Sequence, residues 1–339
     1  FLTKFVSSET APPLVRRTRA ITKWLATERN NEATNVRLLT THGDYNILPR
    51  VKFDDFVEWC QLFIVDIIGE FPLWDDLTAG SFSGGATTSR KRTESHPAGK
   101  YLGQAHITRD ALGLFLKVLE DLPAWERELD FADLRIVPGN VLFTVPKNAD
   151  IDRICAKEPD LNMYLQKACG DIIRRGLRRR GINLNDQSRN RDLARKGSLD
   201  GSLATLDLSS ASDSVSTQLV WLLMPADWCT VLTNLRSPTT LVDGEEHRNE
   251  MFSSMGNGFT FELESLLFYT LARATAYFTG IKGVVSVYGD DIICPSDLAS
   301  DLIWVLEYFG FSINLEKSHT TGSFRESCGG HFINGLDVT

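Results

Sequence analysis

The chain has 339 residues, of which 42% are hydrophobic and 24% charged, as is typical of a soluble globular protein with a large core and two or three structural units. Its net charge of −8 excludes a generally basic nucleic-acid-binding protein, so any phosphate contact must come from a local cluster of cations. The apolar run 62–65 ends at Asp66, far short of the roughly 20 residues of a membrane span, and no signal peptide opens the chain, so we expect a cytosolic protein without a membrane anchor.

The first 130 residues are predicted to be largely helical. Residues 13–71 are predicted as helix because apolar side chains recur at helical spacing behind Asp54 and Asp55. The Gly/Ser/Thr tract 80–89 predicts a flexible surface loop. Another helical stretch is expected over about 108–129, and a strand over 141–145.

Residues 172–196 form a basic stripe inside an acidic protein, opposed only by Asp186 and Asp192. Such a stripe predicts a surface that contacts phosphate, and a solvated helix face is the alternative. Helical spacing in its first part is compatible with both interpretations. The basic residues are Arg174, Arg175, Arg178, Arg179, Arg180, Arg189, Arg191, Arg195 and Lys196.

Two segments in the second half of the chain have a composition typical of binding loops. In 204–214, a short apolar run ends at Asp207 and small hydroxyl residues follow, which predicts a strand with Asp207 at its carboxyl end and then a tight turn. In 253–264, two glycines stand among hydroxyl and amide side chains and leucines follow at helical spacing. This second segment predicts a loop that could hold a sugar and a base, and a Gly-rich helix cap is the alternative.

The segment 284–293 predicts a β-hairpin whose turn presents Asp290 and Asp291, because β-branched residues flank Gly289. Two carboxylates about 4 Å apart repel by roughly 1 kcal/mol in water and by several times more near a protein surface. A hard divalent cation would remove this repulsion. An acidic turn without function is the alternative, but Asp207 supplies the third carboxylate that a two-metal site needs.

The six cysteines are scattered without a CxxC pair, which favours free thiols in a reducing compartment. Cys328, His331 and His319 form an incomplete zinc pattern, and a β-hairpin accounts for the same segment. The cysteines are Cys60, Cys155, Cys169, Cys229, Cys294 and Cys328.

The three acidic and Gly-rich segments stand in the order of motifs A, B and C of polymerase palm domains. With three further stretches, the chain resembles the RNA-directed RNA polymerase, or replicase β subunit, of levivirus-type positive-strand RNA bacteriophages. The resemblance is strong over residues 135–339 and weak before them. The further stretches are Val145–Asn148 with Asp152, Arg153, Glu158 and Pro159, then Gly181–Ser188, then Phe324–Gly329.

The resemblance implies an α+β right-hand polymerase fold, in which a palm with an antiparallel β-sheet flanked by helices adjoins largely helical fingers. The expected parts are an N-terminal and fingers region over 1–134, fingers with motif F and the basic stripe over 135–199, and a palm with motifs A to E over 200–339. The chain starts at Phe1 and ends at Thr339, soon after motif E. We therefore expect an internal fragment of a longer replicase, with the thumb domain absent.

The resemblance also implies template-directed RNA synthesis by two-metal nucleotidyl transfer. Two magnesium ions, or manganese in their place, would be bound by Asp207, Asp290, Asp291 and the carbonyl of Leu208. Lys317 stands at the motif D position, where a lysine protonates the leaving pyrophosphate, and a plain surface lysine is the alternative.

Five residues are implied to bind the nucleotide. Lys147 and Arg153 stand at motif F positions, where cations pair with triphosphate oxygens. The candidates for ribose contact are Asp213, Ser254 and Asn257. The chain departs from the wider polymerase class here, because Ser212 and Glu264 stand where an aspartate and an asparagine are usual.

The implied partners are a single-stranded RNA template, the nascent RNA and ribonucleoside triphosphates. Host elongation factors Tu and Ts and a ribosomal protein would join them in the cytoplasm of an infected bacterium. Two rival functions remain. A reverse transcriptase usually has a nonpolar residue other than glycine before the paired aspartates, and a noncatalytic RNA-binding subunit would not need all three aspartates.

Overall fold

The computed structural model describes residues 10–41 and 43–339. The chain divides into two compact units of mixed helix and sheet. The first unit comprises the residues up to Glu32 with Pro72–Cys169 and Thr230–Thr260, and the second comprises Ala33–Phe71, Gly170–Cys229 and Phe261–Thr339. Because each unit combines separate segments of the chain, the predicted division at residues 134 and 199 does not follow the unit boundaries and stays a prediction.

The helices and strands alternate irregularly along the chain. The α-helices are α1 (Pro13–Thr40), α2 (Phe53–Ile68), α3 (Trp74–Thr78), α4 (Arg109–Glu120), α5 (Pro123–Glu128), α6 (Asp160–Arg179), α7 (Ser188–Asp200), α8 (Thr217–Leu223), α9 (Ala226–Leu235), α10 (Thr260–Thr279) and α11 (Ala299–Tyr308). The strands are β1 (Asn46–Leu48), β2 (Val51–Lys52), β3 (Ala105–Ile107), β4 (Leu134–Ile136), β5 (Gly139–Pro146), β6 (Asp152–Lys157), β7 (Leu203–Leu206), β8 (Leu208–Ser209), β9 (Thr239–Val242), β10 (Glu245–Arg248), β11 (Ser286–Tyr288), β12 (Asp291–Pro295), β13 (Ser312–Ile313), β14 (Phe324–Ser327), β15 (Gly330–Ile333) and β16 (Leu336–Asp337).

The first unit is built on a four-stranded sheet in the order β10-β9-β5-β6. Strands β5 and β6 form an antiparallel hairpin, and β9 runs parallel to β5. Burial alternates along β6, as expected for a strand with one face toward a core. On that face Leu142 and Ile154 pack with Trp24 and Met251.

The second unit contains the antiparallel sheet β11-β12-β7. All four residues of β7 are buried and three of them are apolar, as expected for a strand that is covered on both faces. Helix α7 crosses β7 closely, because a Cβ on Gly197 would lie 2.6 Å from the carbonyl oxygen of Leu203. The centre of α10 is also fully buried, with Leu266 and Leu267 at 0% exposure.

The prediction of one helical region over 13–71 is wrong at residues 46–52, where β1 and β2 form a short hairpin between α1 and α2. Pro49 and Arg50 make its turn, and Arg50 has a left-handed φ of 65°, an angle that is incompatible with an α-helix. The helical stretch over 108–129 is confirmed as α4 and α5, and the strand over 141–145 lies inside β5. Across the described ranges, no helix is long and apolar enough to cross a membrane.

Candidate functional site

Two strands of the second unit bring Asp207 and Asp291 to the same end of a sheet. Leu206 pairs with Ile292 in antiparallel register. Asp207 follows Leu206 and Asp291 precedes Ile292, so the two aspartates lie level with each other on neighbouring strands. The predicted strand that delivers Asp207 at its carboxyl end is confirmed as β7.

The predicted hairpin around Asp290 is also confirmed. The pair between Tyr288 and Asp291 closes a two-residue turn made of Gly289 and Asp290. Gly289 has a φ of 59°, and a Cβ there would lie 2.6 Å from Cε2 of Phe261. Only glycine satisfies both the backbone angle and the close approach of this ring.

The carboxylate of Asp291 is oriented by the hairpin of β14 and β15. Its Oδ1 accepts hydrogen bonds from Ser327 Oγ and from the backbone N–H of Cys328, each at 3.1 Å. Cys328 and Gly329 form the turn of that hairpin, and both have left-handed φ angles, 50° and 72°. The turn therefore presents a backbone donor to the acidic site.

The surroundings of Cys328 do not suit the zinc alternative. Burial and the charge of Asp291 raise the pKa of the Cys328 thiol to about 12, so this thiol is protonated in the absence of a metal. Within residues 10–41 and 43–339, no three His, Cys, Asp or Glu side chains form a group that could hold a metal ion by themselves.

Asp207 is held by the segment 314–318. Its Oδ2 accepts a hydrogen bond of 2.7 Å from Asn314 Nδ2, and its backbone oxygen accepts one of 2.9 Å from Asn314 N. Its N–H donates to Ser318 Oγ at 3.0 Å. Sequence reasoning missed Asn314 and Ser318, and their closeness to Lys317 is the signal that could have found them.

Asp207, Asp290 and Asp291 share one electrostatic environment. Burial, followed by the charges of Asp290 and Asp207, raises the pKa of Asp291 to about 6, against the opposing effect of its hydrogen bonds to Ser327 and Cys328. The site thus concentrates negative charge on hard oxygen donors. This fits magnesium, which is normally bound by one or two carboxylates together with water and substrate phosphates, so a complete protein cage is not needed.

Glu264 is a buried carboxyl group beside this acidic site. It is 4% exposed, and within the described part of the chain its Oε2 has no hydrogen-bond partner. Burial, and then the charge of Asp290, raises its pKa well above the usual value, with a further rise from Asp213, while a hydrogen bond from Ser212 opposes the change. The two residues that depart from the polymerase pattern, Ser212 and Glu264, therefore lie close to Asp213. Ser212 and Asp213 are on the 3₁₀ turn Ser212–Ser214, and Glu264 is on α10.

Lys317 lies in the segment that wraps Asp207, between Asn314 and Ser318. Its backbone N–H donates to the Asn314 carbonyl at 3.1 Å. Its half-exposed ammonium group lies 3.7 Å from Glu326 Oε1. The lysine is therefore near the acidic site through its backbone, while its side chain already has an acidic neighbour.

The basic stripe lies on α6 and α7, and most of its cations are exposed. Arg174 is the exception, because its guanidinium pairs with Glu262 and donates to the Leu184 carbonyl at 2.9 Å. Arg174 therefore stabilises the contact between α6 and α10, and the remaining basic residues supply the surface charge.

Lys147 and Arg153 lie together at one end of the β5–β6 hairpin in the first unit. Arg153 pairs with Val145, and Lys147 begins the connecting loop. Both residues are exposed. The loop is shaped by Asn148, whose Oδ1 accepts two backbone hydrogen bonds of 2.9 Å. Two cations at the end of one hairpin can bind a polyanion together.

The Gly-rich segment of the first unit is a loop that leads into α10, and Ser254 and Asn257 are buried within it. Asn257 Oδ1 accepts a hydrogen bond of 2.9 Å from Phe259 N, as in a helix-start turn. Its Nδ2 is buried and has no partner among the described residues. A buried donor is unfavourable without a partner, so Asn257 stays a candidate for ligand binding.

Comparisons of this chain with known proteins all indicate the same protein family. The sequence profile of a family described as "RNA replicase, beta-chain" matches residues 1–339. The "RNA-directed RNA polymerase beta chain" of Escherichia phage MS2 is 50% identical over 330 residues, covering 91% of this chain and 60% of the relative. The "RNA-directed RNA polymerase subunit beta" of Escherichia virus Qbeta is 42% identical over 325 residues, covering 94% and 53%. The chain thus spans a little over half the length of these relatives.

One solved structure supports the fold. The RNA-dependent RNA polymerase of BmCPV, solved in situ at its elongation state, aligns with a TM-score of 0.52 and 11% identity, covering 87% of this chain and 29% of that one. At this identity the likeness concerns the fold alone.

Proposed function

Because this chain belongs to the RNA replicase beta-chain family, we propose that it carries the nucleotidyl-transfer site of an RNA-directed RNA polymerase of levivirus type. The reaction would join ribonucleoside triphosphates on an RNA template. The observation that carries the proposal is the shared environment of Asp207, Asp290 and Asp291 at one end of the sheet β11-β12-β7. In this assignment that sheet and its helices belong to the palm, and the β5–β6 hairpin belongs to the fingers.

The three aspartates and the carbonyl of Leu208 would hold two magnesium ions, or manganese in their place. When bound, these ions would lower the pKa of the primer 3′-hydroxyl and neutralise charge on the triphosphate. The hydrogen bonds from Asn314 to Asp207 and from Ser327 to Asp291 leave the second oxygen of each carboxylate for this role. Holding these oxygens in place before the ligand arrives reduces the reorganisation that the reaction requires.

Other residues would act on the nucleotide itself. Lys147 and Arg153 would pair with triphosphate oxygens, and Asn257 would donate its buried amide hydrogen atoms. Asp213 and Ser254 are further candidates for ribose contact. Lys317 would donate a proton to the leaving pyrophosphate, for which its ammonium group must leave the vicinity of Glu326.

The proposal predicts that Asp290→Asn in the full-length replicase abolishes nucleotide incorporation while the protein stays folded. Loss of one metal-binding carboxylate should lower the rate by about a thousandfold or more. The measurement is single-nucleotide extension of a primed RNA template with magnesium. Asp297→Asn, an exposed aspartate beyond β12, is the matched control and should retain full activity. Unchanged incorporation by Asp290→Asn would exclude the metal assignment.

The same assay separates the two rival functions. A reverse transcriptase would prefer deoxynucleotides, and a noncatalytic RNA-binding subunit would incorporate neither kind of nucleotide. We expect ribonucleotide incorporation on an RNA template, in agreement with the RNA-directed RNA polymerases of the phage relatives. Association with elongation factors Tu and Ts and a ribosomal protein, in the cytoplasm of an infected bacterium, is part of the proposal and can be tested by co-purification.

A further inference from the structure

Glu158 is a fully buried carboxylate in the first unit that has no part in the proposed chemistry. It follows β6 and is 0% exposed. Its Oε1 accepts a hydrogen bond of 2.7 Å from Asn140 Nδ2, and its Oε2 accepts bonds of 2.9 Å from Gln166 Nε2 and 2.7 Å from Ser237 Oγ. Burial raises the pKa of this carboxyl group, and the three hydrogen bonds oppose the rise. A buried carboxylate needs such donors, and all three come from side chains.

Two of these donors also bind the Gly-rich loop, residues 253–260. Asn140 Nδ2 donates a second hydrogen bond, of 3.1 Å, to Ser254 Oγ. Gln166 Oε1 accepts a bond of 3.0 Å from the backbone N–H of Gly258. Each amide side chain therefore connects Glu158 to a different part of the loop.

The carboxylate determines which way both amides face. Asn140 and Gln166 both turn their NH₂ groups toward Glu158, whose two oxygens accept their hydrogen bonds. The oxygen of Gln166 then faces the Gly258 N–H. The oxygen of Asn140 is buried and has no partner in the described part of the chain, which is an unfavourable arrangement. The opposite orientation would be worse, because it would place that oxygen against the carboxylate.

The loop also packs closely against β6. Ala156 N donates a hydrogen bond of 2.8 Å to the Met255 carbonyl. Gly256 has a φ of 121°, and a Cβ there would lie 2.1 Å from the Ala156 carbonyl oxygen. Such contacts leave little room for other loop shapes, so a change in the hydrogen bonds around Glu158 should alter the loop itself.

We propose that Glu158 is a positioning residue for nucleotide binding, acting through Asn140 and Gln166 to hold the Gly-rich loop in the shape that presents Ser254 and Asn257 to the ribonucleotide. This inference rests on the proposed function, because the ligand is the ribonucleoside triphosphate. Ser254 Oγ accepts from Asn140, so its own hydrogen is left to donate to that ligand. Asn257 contributes its buried, unpartnered Nδ2.

The test is steady-state kinetics of the full-length replicase with Glu158→Gln, at saturating RNA template. The amide adds a donor where three donors already meet, so the loop should loosen. We expect KM for the ribonucleoside triphosphate to rise about fivefold or more while kcat changes about twofold or less. Asn140→Ala should give the same split, and it removes the unpartnered oxygen, so it keeps the test valid if Glu158→Gln folds poorly.

The matched control is Asp160→Asn, which changes a carboxylate in the same unit that is 1% exposed and accepts from Thr87 and His106 instead of from loop partners. If Glu158 had a purely structural role, Glu158→Gln and Asp160→Asn would behave alike. Both variants would then be less stable than wild type, with an unchanged KM for the ribonucleoside triphosphate. That result, or a KM within about twofold of wild type for Glu158→Gln and Asn140→Ala, would overturn the inference.

A second measurement does not depend on activity. Hydrogen–deuterium exchange of peptides covering 253–260 should become about tenfold faster in Glu158→Gln and stay unchanged in Asp160→Asn. Unchanged exchange in Glu158→Gln would overturn the inference even if the wild-type protein polymerises RNA. If the wild-type protein does not polymerise RNA, the proposed function fails, and the exchange result still decides whether Glu158 holds the loop.

Discussion

Asp291 carries a charge that the folded chain does not favour. Its pKa is raised to about 6 by burial and by neighbouring aspartates, although Ser327 and Cys328 donate hydrogen bonds to it. Such groups cluster at functional sites because a ligand is expected to supply the missing compensation. The backbone of the neighbouring Gly289 is also constrained. Its φ of 59° and its close approach to Phe261 allow only glycine beside this charged group.

The raised pKa predicts a pH dependence of stability in the absence of divalent cations. Between pH 4 and 6 the folded chain binds more protons at Asp291 than the unfolded chain, so the free energy of unfolding falls as the pH rises and the loss is complete above pH 6. A shift from 3.8 to about 6 corresponds to about 3 kcal/mol. Urea denaturation at pH 4, 5, 6 and 7 in EDTA measures this slope.

Asp291→Asn should flatten that slope, and Asp297→Asn, at an exposed site, should leave it unchanged. An equal slope in wild type and Asp291→Asn would show that Asp291 is ionised over the whole range.

At the scale of elements, a buried cation joins the strands that carry the site. Arg325 on β14 is 0% exposed, and its Nε donates a hydrogen bond of 2.6 Å to the Leu203 carbonyl on β7. Its Nη1 donates to the carbonyls of Thr321, Gly322 and Phe324. Burial lowers the pKa of this guanidinium. The strand beside Asp207 and the hairpin that orients Asp291 are thus joined by one side chain.

Arg325→Met should therefore lower the free energy of unfolding by about 2–4 kcal/mol, because it leaves several buried carbonyl groups without a donor. Arg195→Met is the matched control, since exposed Arg195 donates to the single carbonyl of Gly335 and its loss should change stability by about 1 kcal/mol or less. Urea denaturation of both variants checks the difference. Equal effects would mean that Arg325 adds no more than a surface contact.

Helices and strands were predictable from the sequence where the local pattern of apolar residues agrees with the tertiary packing. The periodic segments that became α2, α4 and α10 and the hairpin of β11 and β12 follow from spacing and from Gly289. The hairpin over 46–52 was missed because it is short. Its few residues, with the turn at Pro49 and Arg50, do not change the helical periodicity of the much longer segment around them.

At the scale of the whole molecule, the charge distribution matters more than its sum. The net charge is −8, yet α6 and α7 expose a row of cations, and Arg174, the half-buried member of this row, pairs with Glu262. Binding of a polyanion to such a surface releases counterions, so its affinity falls with salt.

The double variant Arg178→Ala/Arg191→Ala, on α6 and α7, should lower the slope of log Kd against log salt concentration for single-stranded RNA by about 1–2. Fluorescence anisotropy with a labelled oligonucleotide at several salt concentrations measures the slope in the full-length protein. The matched control is Arg109→Ala/Lys117→Ala, which removes two exposed cations from α4. An equal reduction in both variants would show that the effect comes from net charge and not from the basic stripe.

The sequence by itself determined the family and the candidate site of this protein, because the carboxylates Asp207, Asp290 and Asp291, the Gly-rich loop and their order along the chain are local features. Only the tertiary structure decided how those groups are held. Asn314, Ser327 and Arg325 lie far in sequence from the groups that they bind, and their types alone do not distinguish them from surface residues. The physical reason is that a hydrogen bond or a desolvated charge depends on which segments fold together, and the order of residues does not specify those contacts.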